Sequence, residues 1–304
     1  MKEGSRRAIV AAFLANLGIA CAKLVAFVVT GAASLGAEAV HSLADTGNQG
    51  LLLLGAARAR RPPDEAHPFG YGRERYFWAF VVALVLFSLG SLFAIAEGVE
   101  KLRHPHAIES PAWALGVLGV AIALEAWSLA TAVREARPVK GAESWWGFIR
   151  RAKTPELPVV LLEDVGALLG LTFALVGVGL ALGTHDARFD ALGSVAIGLL
   201  LGGIAWVLAR EMKSLLIGEA ATPRDVATIR EAIEGAGEVR RVIHLRTLHL
   251  GPEDLLVAAK VELAPSLDAS GIAAAIDAAE ARLRARVPIA RLVFLEPDIW
   301  RPGR

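Results

Sequence analysis

Two potential metal ligands, His41 and Asp45, lie four residues apart in a sequence segment that is otherwise largely apolar. In an α-helix, residues at this spacing lie on the same face, one turn apart. Imidazole nitrogen and carboxylate oxygen are both ordinary ligands of Zn²⁺. Within the hydrocarbon of a membrane, such groups cost free energy unless they face the protein interior or a water-filled cavity. The pair therefore predicts a cation site inside a membrane-spanning helix.

A second acidic pair, Glu163 and Asp164, interrupts a later apolar segment in the same way. Adjacent helical residues point about 100° apart, so both carboxylates need not face one ion. One could bind metal while the other carries a proton or pairs with a neighbouring helix. A structural ion pair with Lys23 is the alternative. Asn48 and Gln49, which follow Asp45, are predicted to form hydrogen bonds between helices rather than to bind metal.

The composition of the chain indicates a membrane protein. Of its 304 residues 55% are hydrophobic, and the mean hydropathy is +0.49. Soluble domains contain about 45–50% apolar residues. Here the excess is concentrated in long runs, which is the stronger membrane signal. Cys21 is the only cysteine, which excludes an intramolecular disulfide framework and a thiolate zinc cluster.

The apolar runs predict six transmembrane helices. Each is near the length of about 20 residues that crosses about 30 Å of hydrocarbon. They cover approximately residues 8–30, 34–57, 76–98, 112–133, 158–182 and 189–209.

Lysine and arginine residues predict the orientation of these helices. Most of them fall at the amino terminus and in the loops after the second and fourth helices, and the opposite side has few. The positive-inside rule therefore places both termini in the cytoplasm. The first group comprises Lys2, Arg6, Arg7, Arg58, Arg60, Arg61, Arg73, Arg75, Arg134, Arg137, Lys140, Arg150, Arg151 and Lys153, and the second Lys101, Arg103 and Arg188.

The sequence changes character near residue 210, so we predict a transport domain over residues 1–209 and a cytoplasmic, dimerising domain over residues 210–304. Thr222 followed by Pro223 is typical of a helix start. Two strands, a helix with an apolar stripe and a last strand then follow. The order αββαβ predicts a small two-layer α+β domain.

Several motifs together resemble the cation diffusion facilitator family of divalent-metal/proton antiporters, and most closely its zinc-transporter-nine branch. They are His-Ser-Leu-Ala-Asp at residues 41–45, His-Pro-Phe-Gly-Tyr-Gly-Arg-Glu-Arg-Tyr-Phe-Trp at 67–78, Leu-Leu-Glu-Asp at 161–164, Asp-Ala-Leu-Gly-Ser at 190–194 and Phe-Leu-Glu-Pro-Asp at 294–298. The residues of the loop that begins at His67, taken alone, predict either a simple turn or a segment that captures metal.

The resemblance implies a homodimer with six helices, a metallochaperone-like cytoplasmic domain and alternating access that exchanges a divalent cation for protons. It implies that the second and fifth helices each provide two ligands, which here are His41 and Asp45, then Val160 and Asp164. Valine cannot bind metal, so Glu163, a water or a polar group from another helix would complete the shell. We therefore take His41, Asp45, Asp164 and Glu163 as the candidate metal ligands.

The cytoplasmic domain departs further from the family pattern. Family members place metal ligands at positions that are Ile243, Lys260 and Leu295 in this chain. His244 and His249 lie five residues apart and so face opposite sides of a strand. We expect this domain to bind little or no metal.

The leading prediction is therefore a secondary transporter that exports Zn²⁺ from the cytoplasm. The alternatives are Mn²⁺, Fe²⁺, Co²⁺ or Ni²⁺ as the substrate, or a membrane-anchored sensor or scaffold without flux. The absence of a His-Glu-x-x-His motif argues against an enzyme. We expect the metal ion and protons as substrates, no tightly bound cofactor and no nucleic-acid partner. The absence of a long targeting extension favours a multi-pass protein of a bacterial plasma membrane.

Overall fold

The structure is a computed structural model, and it describes residues 33–105 and 111–301 together with positions 13, 17–18, 21 and 24–25. The predicted first span, residues 8–30, therefore lies outside the described residues except at those isolated positions. The chain divides into two compact units. In the described range, the first unit contains the residues up to Gly55 and Phe77–Lys213, and the second contains Ala56–Tyr76 and the rest of the chain from Ser214.

Long helices form the first unit. Helices at the positions of the second to sixth predicted spans are present. Their ends agree with the predicted ends to within a few residues, except that the helices at the third, fourth and sixth spans continue past the carboxyl-terminal ends of those spans. In chain order the helices are α1 Ala33–Arg58, α2 Glu74–Arg103, α3 Pro111–Lys140, the short α4 Trp145–Arg151, α5 Glu156–Thr184 and α6 Arg188–Ile217.

Three of the described helices, α2, α5 and α6, are long and apolar enough by themselves to cross a membrane. Helix α1 is 26 residues long, which is sufficient for crossing. Its sequence, however, includes the polar residues of the candidate site. Within α2, residues Val82–Phe87 form a π-helical segment.

Close helix packing holds α5 and α6 together. A Cβ atom at Gly177 would lie 3.0 Å from the carbonyl oxygen of Phe189, and one at Gly193 would lie 3.1 Å from that of Phe173. Helices α2 and α6 are joined by the Ser91 hydroxyl, which donates a hydrogen bond of 2.7 Å to the carbonyl oxygen of Gly198. Small residues at these crossings allow the backbones to approach closely, as is usual for helices in a membrane.

The carboxyl-terminal part of the second unit has the predicted order αββαβ. Its elements are α7 Pro223–Glu234, β1 Val239–Gly251, β2 Asp254–Leu263, α8 Ala269–Arg286 and β3 Leu292–Pro297. The sheet order is β1-β2-β3, with β1 antiparallel and β3 parallel to β2. Thr222 caps α7, since its side chain accepts a hydrogen bond from the backbone N–H of Asp225. Both helices cover the sheet through fully buried residues, among them Ile229, Ile233, Leu255, Val257 and Leu283.

The loop between α1 and α2 packs against the end of β1 in the second unit. A Cβ atom at Gly72 would lie 2.6 Å from the carbonyl oxygen of Leu250 and 3.1 Å from the Cα atom of Gly251. The two backbones are therefore in direct contact. This loop belongs by sequence to the predicted transport domain but clusters with the carboxyl-terminal residues. The division at residues 209 and 210 stays a prediction.

An ion-pair cluster fastens the end of β3 to β2. The Lys260 ammonium lies 3.0 Å from a carboxylate oxygen of Glu296 and 3.1 Å from one of Asp298. These hydrogen bonds raise the pKa of Lys260, Glu296 contributing most. The pKa of Asp298 is lowered, first by the backbone N–H of Ile299 and then by Lys260. Lys260 is one of the positions at which the family resemblance implies a metal ligand. In this chain it places an ammonium group between two carboxylates instead.

Candidate metal centre

The backbones of His41 and Asp45 both belong to α1, as the sequence predicts. Their side chains lie outside the described part of the structure. Asn48 follows on the same helix, three residues after Asp45 and seven after His41. At 3.6 residues per turn, positions 41, 45 and 48 fall on one side of α1. The position of Asn48 therefore indicates which neighbour that side of the helix meets.

Asn48 connects α1 to α5. Its side-chain amide donates a hydrogen bond of 3.0 Å to a carboxylate oxygen of Glu163, across 115 residues of sequence. Asn48 is buried, with 5% of its surface exposed. Its amide oxygen is buried without a hydrogen-bond partner among the described residues. The predicted interhelical role of Asn48 is thus confirmed, and Glu163 is its partner.

Asp164 directly follows Glu163 in α5 and is also buried, at 9% exposure. One of its carboxylate oxygens accepts a hydrogen bond of 3.3 Å from the hydroxyl of Ser128 on α3. A low-dielectric environment strengthens the attraction of a carboxylate for a cation or a proton. Asp164 therefore sits, buried, where α3 and α5 meet.

Val160 lies one turn before Asp164 in α5 and offers no ligand atom. No group of three or more metal-binding side chains occurs among the side chains that the structure describes, to which those of His41 and Asp45 do not belong. The contact between Ser128 and Asp164 was missed by the sequence analysis. A serine in the apolar run of α3 is the signal that could have found it, since a polar group at that depth requires a partner.

The loop that begins at His67 forms a turn on the protein surface. Asp64 accepts hydrogen bonds from the Tyr71 hydroxyl at 2.6 Å and from the backbone N–H of His67 at 2.7 Å. The Tyr71 hydrogen bond is the main cause of the lowered pKa of Asp64. These contacts account for the loop as a structural turn, in which the His67 imidazole lies 3.5 Å from a carboxylate oxygen of Asp64.

Comparison with known proteins identifies the family of this membrane-helical part. The model of the cation efflux transmembrane domain matches residues 9–217, which is more than half of the chain. The chain belongs to the cation efflux family. This membership confirms the resemblance stated from the motifs, and with it an integral membrane protein with a helical membrane domain and a carboxyl-terminal α+β domain. The family is one of transporters, which agrees with the prediction that the chain is not an enzyme.

Individual relatives extend the match into the second unit. The mitochondrial proton-coupled zinc antiporter of Xenopus laevis is 35% identical over 242 residues, which is 79% of this chain and 43% of that protein. The Homo sapiens antiporter of the same name is 34% identical over 82% of this chain and 44% of its own length. The zinc transporter ZitB of Escherichia coli is 27% identical over 84% of this chain and 77% of its own length. The chain thus spans less than half the length of the two antiporters.

Among solved structures, the copper form of the MamM carboxyl-terminal domain matches this chain with 21% sequence identity over 27% of this chain and 88% of that structure, and a TM-score of 0.24.

Proposed function

We propose that this chain exports Zn²⁺, or a similar divalent cation, from the cytoplasm in exchange for protons. The hydrogen bond between Asn48 and Glu163 is the observation that carries the proposal. It joins the helix of His41 and Asp45 to the helix of Asp164. This connection between the two helices supports a site that takes ligands from both.

In this proposal His41, Asp45 and Asp164 bind the metal from a cavity that is open to the cytoplasm. Alternating access then exposes the same groups to the opposite side. Metal ligands must be deprotonated to bind, so protons that reach the site from that side weaken the metal affinity. Competition between metal and protons for the same atoms couples the two fluxes.

Glu163 is the further ligand that the proposal assigns in place of Val160. A carboxylate has about four lone-pair positions, so one carboxylate can accept a hydrogen bond and bind a metal ion at the same time. A shell with one imidazole and several oxygens is also compatible with harder ions. Zn²⁺ is the first choice because the three relatives described above are named as zinc antiporters or a zinc transporter, and Mn²⁺, Fe²⁺, Co²⁺ and Ni²⁺ are the alternatives.

The proposal includes a homodimer, no resident cofactor and both termini on the cytoplasmic side of the membrane. The predicted bacterial plasma membrane has no support from the antiporters of Xenopus laevis and Homo sapiens, whose names place them in mitochondria. We therefore leave the host membrane out of the proposal.

Transport by purified protein in liposomes tests the proposed function. Asp164→Asn keeps the shape of the side chain and removes its charge, so we expect Zn²⁺ flux under an imposed pH gradient to fall to the level of empty liposomes. Glu100→Gln removes a carboxylate at the end of α2 whose side chain is 68% exposed, and we expect it to retain flux. Undiminished flux in Asp164→Asn would exclude this site. Metal binding by the wild type without any flux would favour the sensor alternative.

A further inference from the structure

The short helix α4 has a buried side and an exposed aromatic pair. Phe148 is 5% exposed and packs in a cluster with Ala136 of α3 and Leu161 of α5. Trp145 and Trp146 are 38% and 54% exposed. Helix α4 is therefore fixed to two long helices while its indoles remain at the surface.

The apolar cluster of Phe148 defines the depth of α4 along the long helices. It contains Ala136 of α3 and Leu161 of α5, and the residues packed against it are Leu129, Ala132 and Val133 of α3, Leu157 of α5, and Ala152. The sequence of α3 becomes rich in charge immediately after Val133, at Arg134, whereas the part of the helix before it contains a single charged residue, Glu125. Since the apolar part of α3 ends at this level, α4 lies at the boundary between hydrocarbon and headgroups. Tryptophan is enriched at this depth in membrane proteins.

The segment around α4 is strongly basic. Residues 134–153 contain six basic and two acidic side chains, a difference of +4. Basic clusters beside a membrane helix attract anionic lipids of the cytoplasmic leaflet. The basic residues are Arg134, Arg137, Lys140, Arg150, Arg151 and Lys153, and the acidic ones are Glu135 and Glu143.

A surface pocket of about 340 Å³ lies at α4, lined by Ser144, Trp146, Gly147, Arg150 and Arg151. Both arginines have long ion pairs: Arg151 lies 3.5 Å from Glu143 and Arg150 lies 3.7 Å from Glu211. Arg150 and Arg151 are 52% and 68% exposed. The pair of Arg151 and Glu143 joins two exposed groups and is therefore weak. Glu211 is only 15% exposed, but the Arg150 side chain that it faces at 3.7 Å is half exposed, so an anion can reach both guanidinium groups.

We propose that α4 and this pocket bind the headgroup of an anionic phospholipid. The guanidinium groups of Arg150 and Arg151 bind the lipid phosphate, for which their planar donors are well suited. The indoles of Trp145 and Trp146 lie among the glycerol and the upper acyl chains. This lipid site is independent of the proposed cation transport. It fastens α4, and through Phe148 also α3 and α5, to the membrane surface.

The affinity of the purified full-length protein for short-chain lipids tests the site. We expect dioctanoyl phosphatidylglycerol to bind more tightly than dioctanoyl phosphatidylcholine or inorganic phosphate. Each basic residue near an anionic lipid contributes about fivefold in affinity. The double variant Arg150→Gln, Arg151→Gln should therefore bind phosphatidylglycerol more than tenfold more weakly and phosphatidylcholine as before. Unchanged preference for phosphatidylglycerol in this variant would overturn the proposal, as would equally tight binding of inorganic phosphate by the wild type.

Two controls separate the pocket from general charge effects. The double variant Arg284→Gln, Arg286→Gln removes the same charge from α8, where the arginines pair with Glu280 and Glu231. Glu211→Gln breaks the ion pair of Arg150 but retains the guanidinium group. We expect both controls to keep the wild-type affinity for phosphatidylglycerol. A loss in either control equal to that of the pocket variant would contradict a site at α4.

A second measurement tests the depth of α4 and does not depend on the arginines. In nanodiscs whose lipids carry bromine on the acyl chains, tryptophan fluorescence is quenched by contact with the chains. The double variant Trp145→Phe, Trp146→Phe keeps the aromatic character of the surface. If these two indoles contact the acyl chains, bromine should quench a smaller fraction of the tryptophan fluorescence in the variant than in the wild type. If the quenched fraction is as large in the variant as in the wild type, or larger, the two indoles do not contact the acyl chains, α4 lies outside the bilayer and the proposal is wrong.

Discussion

Asn48 illustrates how a single polar side chain can determine the pairing of two helices. A buried amide requires hydrogen-bond partners, and within an apolar helix bundle few are available. Glu163 is one of them, at 3.0 Å. Asn48 acts on the candidate site through position rather than through ligation, because its hydrogen bond orients the proposed ligand Glu163 and sets α1 against α5 beside Asp164. Partners that orient metal ligands in this way typically contribute 10- to 100-fold to metal affinity.

Replacement of Asn48 by an apolar residue tests this role. Asn48→Leu removes the hydrogen bond to Glu163 at similar side-chain volume, so we expect Zn²⁺ affinity, measured by isothermal titration, to fall about tenfold or more. Gln49→Leu makes the same kind of change at the next position of α1. Its amide oxygen has no hydrogen-bond partner among the described residues, and we expect at most a small change. Equal losses in both variants would attribute the effect to general packing of α1.

At the scale of elements, the loop between α1 and α2 depends on two glycines in contact. An alanine at position 72 would place its Cβ atom 2.6 Å from the carbonyl oxygen of Leu250, and the backbone of Gly251 lies on the same side. Neither obstacle is a flexible side chain. The loop must therefore separate from β1 to accommodate a larger residue.

Gly72→Ala should accordingly loosen the loop while the helices remain folded. We expect tryptic cleavage after Arg58, Arg60 or Arg61 to become severalfold faster, because the detached segment is open to the protease more of the time. Gly237→Ala is the matched control, since a Cβ atom at Gly237 would have no neighbour within 4 Å. Cleavage of Gly72→Ala at the wild-type rate would show that the contact does not hold the loop.

The elements themselves were largely predictable from the sequence, and their long-range contacts were not. Apolar runs locate α1, α2, α3, α5 and α6, and the residues Thr222 and Pro223 locate the start of α7, because these signals are local. The short helix α4 lies between two apolar runs and was not predicted. The partner of Glu163 depends on which helix faces α5. The docking of Gly72 against β1 joins segments about 180 residues apart. Neither contact has a local signature, since each results from the tertiary packing of apolar surfaces.

At the scale of the whole molecule, the basic residues divide the chain into two sides. The loop from Arg58 to Arg75 and the segment of residues 134–153 are rich in arginine and lysine. The connection between α2 and α3 contains none, and the only basic residues near it are Lys101 and Arg103 at the end of α2. Lys101 is also engaged in ion pairs with Glu97 and Asp190, which leaves little positive charge on that side. The same distribution that predicts the orientation also supplies the basic surface at α4.

Cysteine labelling tests this orientation together with the crossing by α3. In a Cys21→Ser background, His104→Cys and Ala142→Cys place single thiols before and after α3 at exposed positions. The positive-inside rule puts residue 104 outside and residue 142 in the cytoplasm. In intact cells we expect a membrane-impermeant maleimide to label position 104 at once and position 142 only after permeabilisation. The reverse pattern would invert the orientation and with it the leaflet of the proposed lipid site. Labelling of both thiols in intact cells would show that α3 does not cross the membrane.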